Sequence, residues 1–476
     1  MSGGDADAEL RPPRTDLSPV VEAVETAGAA GFVAVGDGRD DDLRYLARAS
    51  GPDRTYGVVV TPGSASSSPR AVLLAPAEAA GRVERAFVDA ARIDSAGDGS
   101  ARTESIRTES IRTEPARDDP AAFHDGVVRA VRTGRAGDPV GVRAAAVLDG
   151  NGRGDDERGD DGVDDRPVLV PRAIPHDAAV YLERAGYDPA STPVVSDARA
   201  VKDPAEVERI RRVQRAAAAG MARAETVLAR TEPAEGSSRA GHADADSEAR
   251  PVLRWKGGPL TTERLRRAVN ATLAERGVSD AGHTAVAAGR AAADRDGGSG
   301  STADPGRDAA IRAGETVVVD LSPRGPDGYH GALARTFVVD GDGGWARRAY
   351  VAVEAAREAA LAEVEPGAPA ATVHGEAAAE LAAYGFDPNA SPGEAGYTHD
   401  TGRGIGLSRR EPPALPGGET LRPGHVLAVE PGVYDPAIGG VRLGDPLVVR
   451  EEGYELLAPY PFGTTPAERE EFAANR

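Results

Sequence analysis

Residues 399–411 read HDTGRGIGLSRRE, with glycines at 402, 404 and 406 set around Arg403 and Ile405. Small neighbours let the backbone approach another group closely and leave the Arg403 guanidinium unobstructed. A phosphate is the first ligand this spacing suggests. The dinucleotide pattern G-x-G-x-x-G fails, because its third glycine would fall on Leu407. The loop G-x-x-x-x-G-K-[ST] fails as well, since lysine occurs only at 202 and 256. There is no cysteine, so thiol nucleophiles and disulfides are excluded. The chemistry of Arg403 must come from what the rest of the chain places beside it.

Composition narrows the classes. The 476 residues suffice for two or three domains. Acidic residues outnumber basic ones 76 to 56, and nearly all the positive charge is arginine. An acidic, lysine-poor surface holds water and ions well, which reads as adaptation to a salty cytoplasm. A net charge of -20 argues against broad nucleic-acid binding, which needs basic surface. No apolar run is long enough to span a membrane, and the first residues lack the apolar stretch of a secretory signal. A cytoplasmic protein is expected.

The elements that must position such residues follow from periodicity. Residues 1–16 read as a disordered terminus. Short apolar runs at 32–36, 56–61 and 71–75 alternate with amphipathic segments, as in a small α/β domain. The unit RTESI repeats from 102, within a surface insertion at 93–118, and a Gly- and Asp-rich loop covers 149–166. A third such loop is expected at 231–250. Asp203-Pro204 with Glu206 predicts the capped start of a long helix, whose apolar stripe includes Val207, Ile210, Val213 and Met221. Thr261 should open a second helix that stops at Gly277. Further helices are expected at 345–364 and 372–384. Strands are expected at 283–289, 315–321, 328–339, 397–402, 426–433 and 440–449. The second half therefore reads as α+β, an antiparallel sheet with helices on one face.

Three stretches fit together: VVVDLSPRGPDGYHGALARTFVV (317–339), YTHDTGRGIGLSRREPP (397–413) and LRPGHVLAVEPGVYDPAIGGVRLGDPLVV (421–449). They resemble the pita-bread metallopeptidases of family M24: the Xaa-Pro aminopeptidases, Xaa-Pro dipeptidases and methionine aminopeptidases. The helical stretches after Lys202 and Gly258 resemble the first two helices of that fold. The resemblance implies a pita-bread domain at 201–476, preceded by a creatinase-type N-terminal α/β domain at 17–200.

Active members bind two divalent metals through two Asp, one His and two Glu, and the metal pair polarises the peptide carbonyl and generates hydroxide. On this resemblance Asp320 and Glu430 match two of the ligands. Ala332, Arg403 and Gly444 stand where the other three are expected. Arg410 and Asp296 replace two further histidines, while Glu411 is retained. Tyr434 and Arg442 fall where relatives line the substrate cleft. His283, His330 and His399 stand nearby, but a residue one step along a strand faces the opposite side and does not substitute. Asp445 is set aside for Gly444 on the same ground. The plainer alternatives are turn-capping roles for Asp320 and Glu430, packing roles for Tyr434 and Arg442, and structural hydrogen bonding for the histidines.

The expectation is a catalytically impaired or inactive homologue that binds peptide or protein. Arg403 would fork onto Asp320 or Glu430 in place of the metals. No cofactor is expected. The alternative is an active Xaa-Pro aminopeptidase or dipeptidase with a modified site, in which Asp320 and Glu430 hold Mn, Co or Zn weakly. Creatinase-like metal-free hydrolysis ranks last, because it would need a histidine at 296. No nucleic-acid or membrane partner is expected, and a homodimer is compatible with the family.

Overall fold

Valine- and leucine-rich stretches of the first 200 residues pair into one mixed sheet. The computed structural model describes residues 13–48, 54–64, 67–92, 123–134, 137–152, 166–234, 250–293, 308–391, 393–469 and 472. Two compact units divide the chain, 1–199 and 200–476.

In the first unit the elements run α1 (Ser18–Thr26), β1 (Gly31–Asp37), α2 (Asp41–Ala47), β2 (Thr55–Thr61), β3 (Arg70–Pro76), α3 (Ala80–Phe87), β4 (Val128–Gly134), α4 (Val140–Gly152), β5 (Arg166–Pro171), α5 (His176–Arg184) and β6 (Tyr187–Thr192). A short helix α6 (Val194–Ala200) leads out of it. The sheet order is β4-β3-β2-β1-β5-β6, with β2 antiparallel to both neighbours and the other pairs parallel. Val33, Val35, Val59 and Val72 pack against Ala144 and Leu148 of α4 and Leu182 of α5. Order begins earlier than the sequence suggests: Thr15 is buried, and Arg129 donates to its carbonyl at 2.8 Å. The loop expected at 149–166 has ordered ends, because α4 continues to Gly152 and Arg166 already pairs in β5, while 153–165 lie outside the described residues. The 93–118 insertion lies outside the described residues.

The second unit opens with α7 (Pro204–Ala229). Asp203 accepts from the Glu206 N–H at 2.7 Å, and Glu206 accepts from the Asp203 N–H at 3.0 Å. This reciprocal cap satisfies two donors that a helix start leaves over, and such a cap is worth about 1 kcal/mol. Then come three short strands, β7 (Glu232–Pro233), β8 (Leu253–Trp255) and β9 (Gly258–Pro259), followed by α8 (Thr262–Glu275). Residues 231–234 thus belong to ordered structure, where the sequence suggested loop. A three-stranded antiparallel sheet follows, in the order β10 (Thr284–Ala288), β11 (Thr316–Leu321), β12 (Leu333–Val338). Helices α9 (Gly344–Ala362) and α10 (Ala370–Ala383) precede the remaining strands. These are β13 (Gly402–Gly404), β14 (Glu411–Leu415), β15 (Val426–Val429), β16 (Gly432–Asp435), β17 (Gly439–Arg442), β18 (Asp445–Val449) and β19 (Tyr454–Leu456). Five of them form an antiparallel sheet in the order β14-β13-β15-β18-β19.

Each sheet buries its apolar face under a helix pair. Val269 and Leu273 of α8 and Met221 of α7 pack with Val317, Val319 and Phe337. Val353 and Ala356 of α9 and Val373 and Leu381 of α10 pack with Leu427, Val429 and Leu447. The sheets meet where Ala334 and Gly444 exchange both backbone hydrogen bonds, at 3.1 and 2.9 Å. Two long strands of the sequence reading are broken in the structure. Pro431 lacks an N–H and separates β15 from β16; the chain turns at Leu443-Gly444 between β17 and β18. The strand expected at 397–402 is instead β13, whose pairing begins at Gly402.

Candidate functional site

The seam between the two sheets collects the charged residues. Asp320 comes from β11, Arg403 from β13, Glu430 from the end of β15 and Arg442 from the end of β17. Arg442 is held by its own backbone: its N–H donates to Thr336 Oγ1 (2.9 Å), and the Thr336 hydroxyl donates to its carbonyl (3.0 Å). Its guanidinium then spans two carboxylates, with Nη1 3.1 Å from Asp320 Oδ2 and Nη2 2.8 Å from Glu430 Oε2. Burial works against its charge, but Asp320, then Tyr434 and Tyr397, outweigh burial and raise its pKa above the ordinary arginine value.

Arg403 takes the other oxygen of Glu430 through Nη1. Its Nε donates to the Arg409 carbonyl at 3.0 Å. Burial, and next the charge of Arg442, push it down to about 9, so it remains a cation at neutral pH. Of the two carboxylates the sequence offered it, Arg403 pairs with Glu430, and Arg442 is the residue that reaches Asp320. The flanking glycines serve the backbone: a Cβ on Gly402 or Gly404 would strike the carbonyl of Ala428 or Pro412. The spacing of this loop thus answers to close strand pairing rather than to a phosphate.

The remaining sequence candidates fall as follows. Ala332 is buried, and its N–H donates to Gln214 Oε1 of α7 at 3.1 Å. A Cβ on Gly444 would lie 3.0 Å from Glu430 Cβ and 3.1 Å from Ala334 Cβ, so this position is tightly closed. Asp445 points away from the site into a buried pairing with Arg335 (2.7 Å) and Arg357 (2.8 Å). Glu411 is buried with its Oε2 3.6 Å from Lys202 Nζ, and Arg410 is exposed. Asp296 lies outside the described residues. Tyr434 donates to His399 Nε2 at 2.9 Å, since His399 Nδ1–H is committed to the Asp400 carbonyl at 2.7 Å. Burial, then nearby arginines, lower the pKa of His283 and His330; His330 is pushed down to about 4. The rings of His283 and His330 are 6.2 Å apart.

Sequence reasoning placed Arg442 on the cleft wall without seeing that it bridges the two carboxylates. The signal was its position: Arg442 and Gly444 are two residues apart, so side chains at both would share one face of an extended chain. Gln214 was missed. It gave no signal beyond being a polar residue in the middle of a helix stripe.

Comparison with known proteins defines the class. Residues 208–451 match metallopeptidase family M24, and the chain belongs to that family. Over 110 residues it is 43% identical to a protein named agropine synthesis cyclase from Rhizobium rhizogenes, covering 23% of this chain and 26% of that one. It is 32% identical over 148 residues to a probable dipeptidase PepE from Mycobacterium tuberculosis, covering 31% and 38%. These matches span well under half the length of the relatives. A solved Xaa-Pro dipeptidase from Bacillus anthracis superposes with a TM-score of 0.66 at 17% identity, covering 94% of this chain and 98% of that one. That likeness establishes the fold, a pita-bread unit preceded by a smaller α/β domain. Among the described residues no helix is long and apolar enough to cross a membrane.

A paired-metal centre of the kind this family's name implies needs several carboxylate or imidazole donors converging on the ions. Among the described residues no three His, Asp or Glu side chains form such a group. The two carboxylates present are both engaged by guanidinium groups. This residue set does not fit two divalent cations.

Proposed function

We propose that this chain is an M24 homologue impaired in metal-dependent hydrolysis, in which an arginine–carboxylate network occupies the place of the metals and the cleft beside it binds peptide or protein. The observation that carries this reading is the Arg442 clamp on both Asp320 and Glu430. A guanidinium supplies fixed positive charge and geometry, as metals would, but it generates no hydroxide. The family relative named as a cyclase is in keeping with chemistry other than peptide hydrolysis. The relatives named as dipeptidases favour the alternative, an Xaa-Pro dipeptidase or aminopeptidase with a modified site.

One experiment separates the two. Metal content of the purified full chain is measured beside release of the N-terminal residue from a proline-containing peptide with added Mn²⁺. The expected result is no stoichiometric divalent ion and no release, with the uncleaved peptide still bound. Two metals per chain, or release abolished by Asp320→Ala, would establish the alternative.

A further inference from the structure

The second unit contains a cavity of about 590 Å³ lined by none of Asp320, Arg403, Glu430 or Arg442. Its size is typical of small-molecule sites, which run from about 300 to 1,000 Å³. Four stretches of chain enclose it: the N-terminal half of α7, the end of α8, the loop at 325–329, and the tail at 458–459 with Phe472. Val213 and Ala216 of α7, Val278 and Phe472 give it an apolar floor. Arg209, Arg212, Arg215 and Arg276 stand around it, with Asp327 as the one lining carboxylate among the described residues.

That balance is opposite to the chain as a whole, which carries 76 acidic and 56 basic residues. The four arginines are not equally committed. Arg209 is buried and lies 3.4 Å from Asp327, and Arg276 donates to the Phe472 carbonyl at 2.8 Å. Arg215 is half-exposed and shares Glu208 at 3.1 Å. Arg212 is exposed and has no ion-pair partner among the described residues. Residues 209, 212, 213 and 216 recur at three- and four-residue spacing, so charge and apolar surface lie on one stripe of α7.

We propose that this cavity binds a small organic carboxylate, with its apolar body on the Val213–Ala216–Val278 floor and its carboxylate at Arg212 and Arg215. A guanidinium matches a carboxylate with two parallel hydrogen bonds, which favours this headgroup. The proposal is independent of whether the Arg403 site hydrolyses peptides.

The test is calorimetric titration of the full chain at low ionic strength with N-acetyl-L-phenylalanine, and with its neutral amide as control. Saturable binding of one carboxylate per chain is expected, with the amide at least about tenfold weaker, the loss of one charge-assisted contact. Arg212→Glu combined with Arg215→Glu reverses the rim at exposed positions and should weaken binding at least about tenfold. Ala216→Leu fills the floor without changing charge and should weaken it as well. Both variants are compared with the parent by thermal melting, so that loss of fold is separated from loss of binding. Absence of saturable binding at millimolar ligand would overturn the assignment. So would equal affinity for the amide, or parent-like affinity in either folded variant.

Discussion

Arg442→Met is the most direct test of how the charged seam is held. The substitution keeps an unbranched stem and removes the guanidinium that spans 3.1 Å to Asp320 and 2.8 Å to Glu430. The three side chains are 13%, 23% and 6% exposed, so this is a largely buried triad. Removing one partner of a buried pair costs about 3–5 kcal/mol, because a desolvated charge is left behind. Two features place the cost at the lower end: Glu430 keeps Arg403, and Asp320 retains some access to water. A loss of about 3 kcal/mol is expected. The assay is urea unfolding at pH 7 followed by tryptophan fluorescence, which reports the second unit because both tryptophans, Trp255 and Trp345, lie in it. Adding Asp320→Asn should recover at least about 1 kcal/mol, since the orphaned charge is then gone. A loss below about 1 kcal/mol for Arg442→Met, or no recovery in the double variant, would refute the reasoning.

Three other outcomes can be checked with the same unfolding assay. Burial pushes His330 and His425 from 6.5 down to about 4, so the unfolded chain takes up their protons first. Stability should be full above pH 6.5 and fall as pH drops toward 4, by up to about 3 kcal/mol for each histidine, and His330→Asn should remove roughly half of that fall. Arg335→Met strips a guanidinium that donates to Asp445 and to the carbonyls of Ala334, Gly444, Tyr460 and Pro461; a loss of about 4 kcal/mol is expected in the urea midpoint. Gly444→Ala forces a methyl within 3.0 Å of Glu430 Cβ and should cost about 1–3 kcal/mol, so a neutral result would show that the seam yields easily.

Local signals carried most of the fold. The Asp203-Pro204-Glu206 cap, the Thr261 cap and the apolar runs at 317–319 and 426–429 are written in short stretches of sequence, and the corresponding elements form there. Strand breaks were less legible. Residues 426–433 read as one strand, and only Pro431 hints that pairing must change partners after Val429. The site was legible in its positions more than in its connections. Asp320, Arg403, Glu430 and Arg442 were all singled out. Which guanidinium meets which carboxylate depends on how β11, β13 and β17 approach one another, and no residue spacing encodes that. Arg335 shows the same limit: beside Thr336 and Phe337 it reads as a hairpin residue, yet every partner except the adjacent Ala334 carbonyl lies more than a hundred residues away.

That arginine has a mechanical consequence. Ala334 and Gly444 are backbone partners across the two sheets, and the Arg335 guanidinium clasps the Gly444 carbonyl and the Asp445 carboxylate beside them. Arg357 of α9 grips the other oxygen of Asp445, so a helix of the second half is riveted to the same point. Backbone, guanidinium and helix thus fasten the two helix-backed sheets at one point. The amides of Ala334 and Gly444 should exchange with solvent hydrogen only on global opening of this unit.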